Sequence, residues 1–290
     1  FWLRRQNDYD ESNARKEQDG ILQREVRWLI RFPLREMRSK FNICTNSTKT
    51  GKLKELLTFF GTTHPEQWER HWKEVLVHYR QSRAFKLELE PVSVWLRLGE
   101  LESQRVECQD YDEPNFGQSL HEIRSFTTKK PEDFEIRMKE LCAKGGVIYL
   151  LIPELSKMRI GGATRWLSRR RAIIQQNLRY KTNDQFWFTF FHEAAHVLLH
   201  RKENVILEYD KKSDRIEREA DSYAANILIP PRDFIKFKTE GSFTEKRIRL
   251  FAESIDVSPA IVVGRLQHER LLEYNRLNHL KVRFDWNQKR

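Results

Sequence analysis

The chain has 290 residues, 39% of them hydrophobic, with a formal net charge of +11 and three cysteines. That length serves one large domain or two to three small ones. The longest apolar stretches, among them Val147–Pro153 and Phe186–Phe191, fall far below the ~18 residues of a membrane span, and the start carries no signal-peptide pattern, so no membrane partner is expected.

The chain opens FWLRRQNDYD, without methionine. Phe1, Trp2 and Leu3 read as the apolar face of a helix already under way, so a fragment or cleaved product is expected, with a segment missing upstream. Residues up to about Asp112 read as helical. Leu53–Phe60, Pro65–Tyr79 and Pro91–Val106 place apolar residues at helical spacing, and Pro65 and Pro91 sit where a first turn tolerates proline. His64, His71 and His78 recur every seven residues, roughly 10 Å apart along a helix, which is too far to share one ion; surface or half-buried histidines are expected there. Cys44, Cys108 and Cys142 are widely separated and form no C-x-x-C pair. They read as reduced thiols of a cytoplasmic protein.

The polar stretch Tyr111–Gly117 marks a boundary. Two helices follow, about Phe116–Phe126 and Pro131–Lys144, the second closed by Gly145 and Gly146. Val147–Ile152 is apolar and β-branched, hence a strand, and Arg159–Ala163 and Ala172–Arg179 read as two more. From Arg159 to Lys181 there are seven basic residues and no acid. A solvated basic surface is the plain reading of that block; a polyanion or an acidic partner is the sharper one. Asp184 is placed to cap the next helix, and Ser213 or Asp214 to cap another that Pro230 and Pro231 end after Leu228. Phe234–Leu280 reads as helical again.

The chemistry lies in FWFTFFHEAAHVLLH, Phe186–His200. Positions four apart share a helix face, so His192 and His196 can point at one ion while Glu193 lies beside it. This is H-E-x-x-H, in which two imidazoles hold zinc and the glutamate takes a proton from water. The pattern alone also arises by chance in unrelated helices, so its context matters. Glu217, in IEREADSYAANILIP, supplies a third ligand from a second helix, and Asp221 follows it at i+4, placed to orient a ligating imidazole. Two histidines and one glutamate leave a fourth position open, as a catalytic zinc site requires. Phe186, Trp187, Phe190 and Leu198 surround the motif with apolar bulk. Glu219 is the rival third ligand, but it points elsewhere on its helix and lacks an acid at i+4. His200 is ~12 Å of rise from His192 and so is not a ligand; a histidine in the last turn is favourable against the helix dipole. Leu199 and Lys202 stand where H-E-x-x-H-x-x-G-x-x-H would need glycine and histidine, which excludes that class.

Taken together, FHEAAHVLLH and EREADSYAANILIP resemble the ImmA/IrrE family of metallo-endopeptidases, which pairs H-E-x-x-H with E-x-x-A-[N/D]-x-F-A…L-x-P. Tyr223 replaces the usual phenylalanine. GGATRWL, LRYKTNDQFWFTFFHEAAH and VSPAIVVGRLQHE extend the likeness, and FWLRRQNDYD resembles the segment that follows an Xre-type helix-turn-helix in longer members. The resemblance implies an α+β, mostly helical fold with a compact zincin-like (gluzincin) core holding a small sheet. It implies His192, His196 and Glu217 as ligands, Glu193 as general base, and a helix-turn-helix repressor as substrate. It also implies DNA contact through an absent N-terminal domain. SRRRA, Ser168–Ala172, is more basic than the family pattern, and it leads into Ala172–Arg179, the strand expected at the sheet edge to receive substrate by strand addition. The organisation expected is a helical region 1–112, a peptidase domain 113–235 and a helical region 236–290.

Zinc is the default for this ligand set, and manganese also fits it. Tyr180, Arg165 and Tyr209 are candidates for an oxyanion donor. The rival to a protease is a metal-sensing regulator or antitoxin component without turnover. It draws support from Phe251–Leu266, which reads as a helix-turn-helix with Val262, Arg265 and Leu266 on its second helix. An ordinary helical pair is the preferred reading there, because that helix carries few basic residues. Intact Glu193 argues for hydrolysis, since a sensor has no need of a general base. A homodimer is compatible with either reading, and nothing favours a small-molecule hydrolase.

Overall fold

A computed structural model describes residues 5–6, 25–81, 88–179, 182–200 and 211–285, with the side chains of 76–81 and 211–214 excepted. Phe1–Leu3 therefore lie outside the described residues. Two compact units emerge, Phe1–Leu98 with Leu155–Arg159, and Gly99–Glu154 with Ile160–Arg290. The division precedes Tyr111–Gly117, and the helices beyond residue 235 stay in the unit that holds the sheet. Mostly helical with one small sheet, the fold is α+β. Among the described residues no helix is long and apolar enough to cross a membrane.

The first unit contains α1 (Leu34–Phe41), α2 (Lys49–Phe60), α3 (Pro65–Gln81) and the start of α4 (Leu89–Ser103). Thr48 caps α2 by accepting from the Gly51 amide, and Pro65 opens α3 where its missing N–H costs nothing. Trp28, Phe32, Phe60 and Trp68 pack tilted or edge to face, with ring centroids 4.7–6.4 Å apart.

The second unit contains α5 (Glu113–Ser125), α6 (Pro131–Lys144), β1 (Val147–Leu151), β2 (Gly162–Ser168), β3 (Arg171–Gln176), α7 (Asn183–Leu199), α8 (Lys211–Leu228), α9 (Pro231–Thr239), α10 (Glu245–Ser254) and α11 (Pro259–His268). The helix expected at about Phe116–Phe126 is α5, and it starts a few residues earlier: Asp112 caps it through the Asn115 amide, at 2.9 Å. Gly146 lies at φ +79°, and a Cβ there would sit 2.2 Å from the Tyr111 Cα, so only glycine closes α6. The sheet order is β1-β3-β2, with β1 parallel and β2 antiparallel to β3.

Two strand expectations need correction. The second strand runs Gly162–Ser168, not Arg159–Ala163, and Arg169–Arg170 form the turn into β3. That turn carries no Gly, Asn or Asp to announce it. The strand expected at the edge, Ala172–Arg179, is centred on β3, and β3 is the inner strand. Both of its backbone edges are already paired, so β2 is the edge beside it. Asp184 does not cap α7, whose N-cap is Thr182 with no side-chain bond. It lies buried in the first turn, 2.6 Å from Lys281 Nζ.

The helix-turn-helix pattern in Phe251–Leu266 is α10 and α11 with their connection. Ala260, Ile261, Val262, Val263 and Leu266 are buried, and α11 packs on α7. Arg265 pairs with Glu269 at 2.8 Å. A helix committed to the core on this face cannot enter a major groove with it, so this segment is the ordinary helical pair.

Arg124 on α5 ties the helical layer together. Its guanidinium donates to the Ile227 and Leu228 carbonyls at the end of α8, at 2.7 and 3.3 Å, and to the Ile255 carbonyl after α10, at 2.6 Å. One cation thus satisfies carbonyls left over at two helix C-termini. Arg124→Met is expected to cost about 3 kcal/mol, since it removes charged hydrogen bonds from part-buried carbonyls. Chemical denaturation with a linear extrapolation checks this; a loss under about 1 kcal/mol would mean that water replaces the guanidinium.

Candidate metal centre

α7 carries the histidines because its buried face is a run of aromatics. Phe186, Trp187, Phe190 and Phe191 are buried, and Trp187 packs 4.7 Å from the Phe134 ring on α6. That burial anchors the helix and turns its polar seam toward α8. His192 Nε2 and His196 Nε2 lie 3.1 Å apart. Glu217 on α8 brings Oε2 to 3.3 Å from the first and Oε1 to 3.4 Å from the second. Donors about 2.05 Å from a tetrahedral ion are separated by about 3.3 Å. The three side chains therefore already stand at the spacing a zinc-sized cation demands.

Each imidazole is held from behind. Asp221 Oδ1 is 2.8 Å from His192 Nδ1. His196 Nδ1 is 3.1 Å from His200 Nδ1, and His200 Nε2 is 3.1 Å from Glu219 Oε2. One proton arrangement suits the whole chain: His196 Nδ1–H donates to His200, and His200 Nε2–H donates to Glu219. It leaves both facing Nε2 lone pairs for a cation. Glu219, the rival ligand, thus serves His200. Sequence reasoning missed the role of His200, although it stands at i+4 from His196, the same spacing that joins His196 to His192.

Glu193 is 3% exposed. Thr164 Oγ1 on β2 lies 2.9 Å from Glu193 Oε2 and 2.9 Å from its backbone oxygen. A Cβ at Gly162 would sit 2.7 Å from Glu193 Cγ and 2.8 Å from Oε1, so glycine makes room for the carboxylate. Gly162 and Thr164 share one face of the edge strand, and Arg165 points to the other. Arg165 is engaged by Glu100 at 2.5 Å, which removes it as an oxyanion donor. Tyr180 and Tyr209 lie outside the described residues. The basic block is partly tied down: Arg170 pairs with Asp110 at 3.1 Å, and Arg171 donates to the Cys108 carbonyl at 3.3 Å. The three cysteines are unpaired, and burial pushes the Cys44 thiol up to about 11. Glu25, His64 and Glu66 form a second trio with ligand atoms within 4.8 Å, but His64 and Glu66 are exposed.

Residues 148–267 match the sequence model of the peptidase M78 family, the IrrE N-terminal-like domain. This segment is similar to the IrrE N-terminal-like domain. The match takes in β2, β3, all but the first residue of β1, both helices of the candidate site and most of α11. The match is to a family of metallopeptidases of the ImmA/IrrE kind, and it spans less than half of the chain. No curated protein matches the chain.

Burial lowers the His192 pKa, but hydrogen bonds to Asp221 and Glu217 and the charge of Glu193 outweigh it and lift the value to about 9. In the metal-free chain the imidazole is therefore protonated at neutral pH. Its folded pKa exceeds the unfolded value of about 6.5, so this contribution is complete below about pH 6.5 and is lost as pH rises through about 9. Metal binding must expel that proton, which reverses the trend. The metal-free chain is expected to melt at a higher temperature at pH 6.5 than at pH 9. Zinc affinity is expected to rise about tenfold per pH unit over the same range. Thermal melts and chelator competition check the two trends, and parallel slopes would remove His192 from the ligand set.

Proposed function

We propose that this chain is a zinc-dependent endopeptidase of the cytoplasm that cuts a helix-turn-helix repressor, in cis or in trans, and so switches on gene expression. The observation that carries this reading is the convergence of His192, His196 and Glu217 at 3.1–3.4 Å, with Glu193 one residue from the first ligand. Zinc, when bound, supplies Lewis acidity that acidifies water near neutral pH and polarises a carbonyl. Glu193, with Oε2 held by Thr164, takes the proton of the attacking water and delivers it to the leaving amine. Asp221 and the His200–Glu219 pair keep both imidazoles in the tautomer that offers Nε2. Edge strand β2, whose Gly162 and Thr164 touch Glu193, offers the substrate backbone a pairing partner beside the general base.

A metal sensor without turnover gains nothing from α11, whose apolar face is in the core. The test is intact-mass spectrometry of the chain and of co-expressed helix-turn-helix repressors, each incubated with zinc or manganese. A single cut that needs the metal and Glu193 supports the reading. Cuts that persist in chelator would overturn it.

A further inference from the structure

Thr164 on β2 reaches Glu193 on α7 with a hydroxyl that has two targets. Its Oγ1 is 2.9 Å from Glu193 Oε2 and 2.9 Å from the Glu193 backbone oxygen. Both are oxygens of the same residue, one at the tip of the side chain and one on the helix main chain. A threonine hydroxyl carries a single proton, so it can donate fully to one of them at a time. Gly162, two residues earlier on the same face of the strand, bounds the carboxylate from another side. A Cβ there would come 2.7 Å from Glu193 Cγ, 2.8 Å from Oε1 and 2.9 Å from Thr189 Cγ2. The carboxylate is therefore confined against the strand by sterics and held at one oxygen by a donor.

Confinement alone does not call for a hydroxyl. Valine has the shape of threonine and suits a strand at least as well. What threonine adds is one donor whose direction can change without moving a heavy atom.

We infer that Thr164 is a positioning residue for the general base, and that its hydroxyl changes acceptor during turnover; the inference rests on the peptidase reading. While Glu193 is ionised, the charged Oε2 is the stronger acceptor and takes the hydroxyl proton. When Glu193 accepts a proton from the attacking water, an O–H bond breaks on the water and one forms on the carboxyl. The carboxyl is then neutral, and the hydroxyl turns to the backbone oxygen at the same distance. Delivery of the proton to the leaving amine restores the charge, and the hydroxyl turns back. The O–H bond of Thr164 stays intact throughout, and its proton has a partner in both states. The side chain that does this lies on the Glu193 side of β2, whereas the substrate backbone would meet the main chain of that strand. Its loss is therefore felt in the chemical step rather than in binding.

Two measurements on Thr164→Val and Thr164→Ser test this, both on the full chain. The first is steady-state kinetics of the zinc-loaded protein on an internally quenched peptide spanning the cut found by intact mass. Valine is expected to lower kcat by about 10–100-fold, the worth of one hydrogen bond to a charged group, with KM within about twofold. Serine, which keeps the hydroxyl and loses the methyl, is expected to restore kcat to within about threefold of the parent. The second needs no metal and no substrate. In chain labelled with 13C at the glutamate carboxyls, the Glu193 resonance is assigned by its loss in Glu193→Gln. It is expected to move in Thr164→Val and to hold its place in Thr164→Ser. A valine variant with the parental kcat, a serine variant as slow as valine, or a carboxyl resonance that ignores the hydroxyl would each overturn the inference. A zinc-loaded parent that cuts nothing, with a resonance that follows the hydroxyl, would sink the peptidase reading and leave the hold of Thr164 on Glu193 standing.

Discussion

Glu193→Gln is expected to leave zinc stoichiometry unchanged while peptide hydrolysis falls by about 10²–10⁴-fold, the usual contribution of a positioned general base. The amide matches the carboxylate in shape. It still fills the space left by Gly162, and its oxygen can still accept from Thr164 Oγ1. What it lacks is a site for the proton of the attacking water. Alanine would be a poorer test, because a side chain that is 3% exposed would leave a cavity against β2 and alter the helix that carries two candidate ligands. Elemental analysis of the purified variant gives the metal content, and intact mass against time gives the rate. Full metal with a rate within threefold of the parent would show that Glu193 is not the base, whatever holds the ion.

The histidine pair was legible because it is local: i and i+4 on one helix share a face in any tertiary setting. Glu217 was legible for a related reason, its helix being amphipathic enough to assign a face without knowing its neighbours. The support of His196 was not. His200 looked like a histidine suited to a helix end, and only the packing of α8 on α7 puts Glu219 at its far nitrogen. The edge of the sheet was misjudged because strand order is a property of the assembled sheet. β3 ends in Gln175 and Gln176, which suggest exposure, yet both are buried. Gln176 accepts from the Tyr149 hydroxyl at 3.1 Å and donates to the Phe186 carbonyl at 2.7 Å, so its amide is satisfied inside the core. α11 carried its own warning. Ala260–Val263 is an unbroken apolar run, which marks a buried helix rather than one with a solvent face for DNA.

The same layering predicts a graded loss of metal. Structural zinc sites with four ligands bind with about 10–16 kcal/mol, so one ligand carries roughly 3–4 kcal/mol, and Glu217→Ala is expected to weaken zinc by about 10²–10³-fold. The loss is the larger because Glu217 is the only carboxylate of the trio, and without it the ligand set loses its one formal negative charge toward a dication. His200→Phe should cost less, about 10–100-fold, since it removes support from His196 while both Nε2 donors remain. Phenylalanine keeps the buried ring, which is 6% exposed, so stability is largely preserved and the effect reports on the hydrogen bond. Glu219→Gln should be milder than His200→Phe, because the amide oxygen still accepts from His200 Nε2–H and only the charge is gone. Competition against a chelating dye at fixed pH ranks the three. If His200→Phe weakened zinc as much as Glu217→Ala, His200 would itself be a ligand, and the geometry that sets it on the far nitrogen of His196 would have to rearrange when metal binds. If it had no effect, the tautomer of His196 would be fixed by the metal alone, and the His200–Glu219 pair would serve only to close the end of α7.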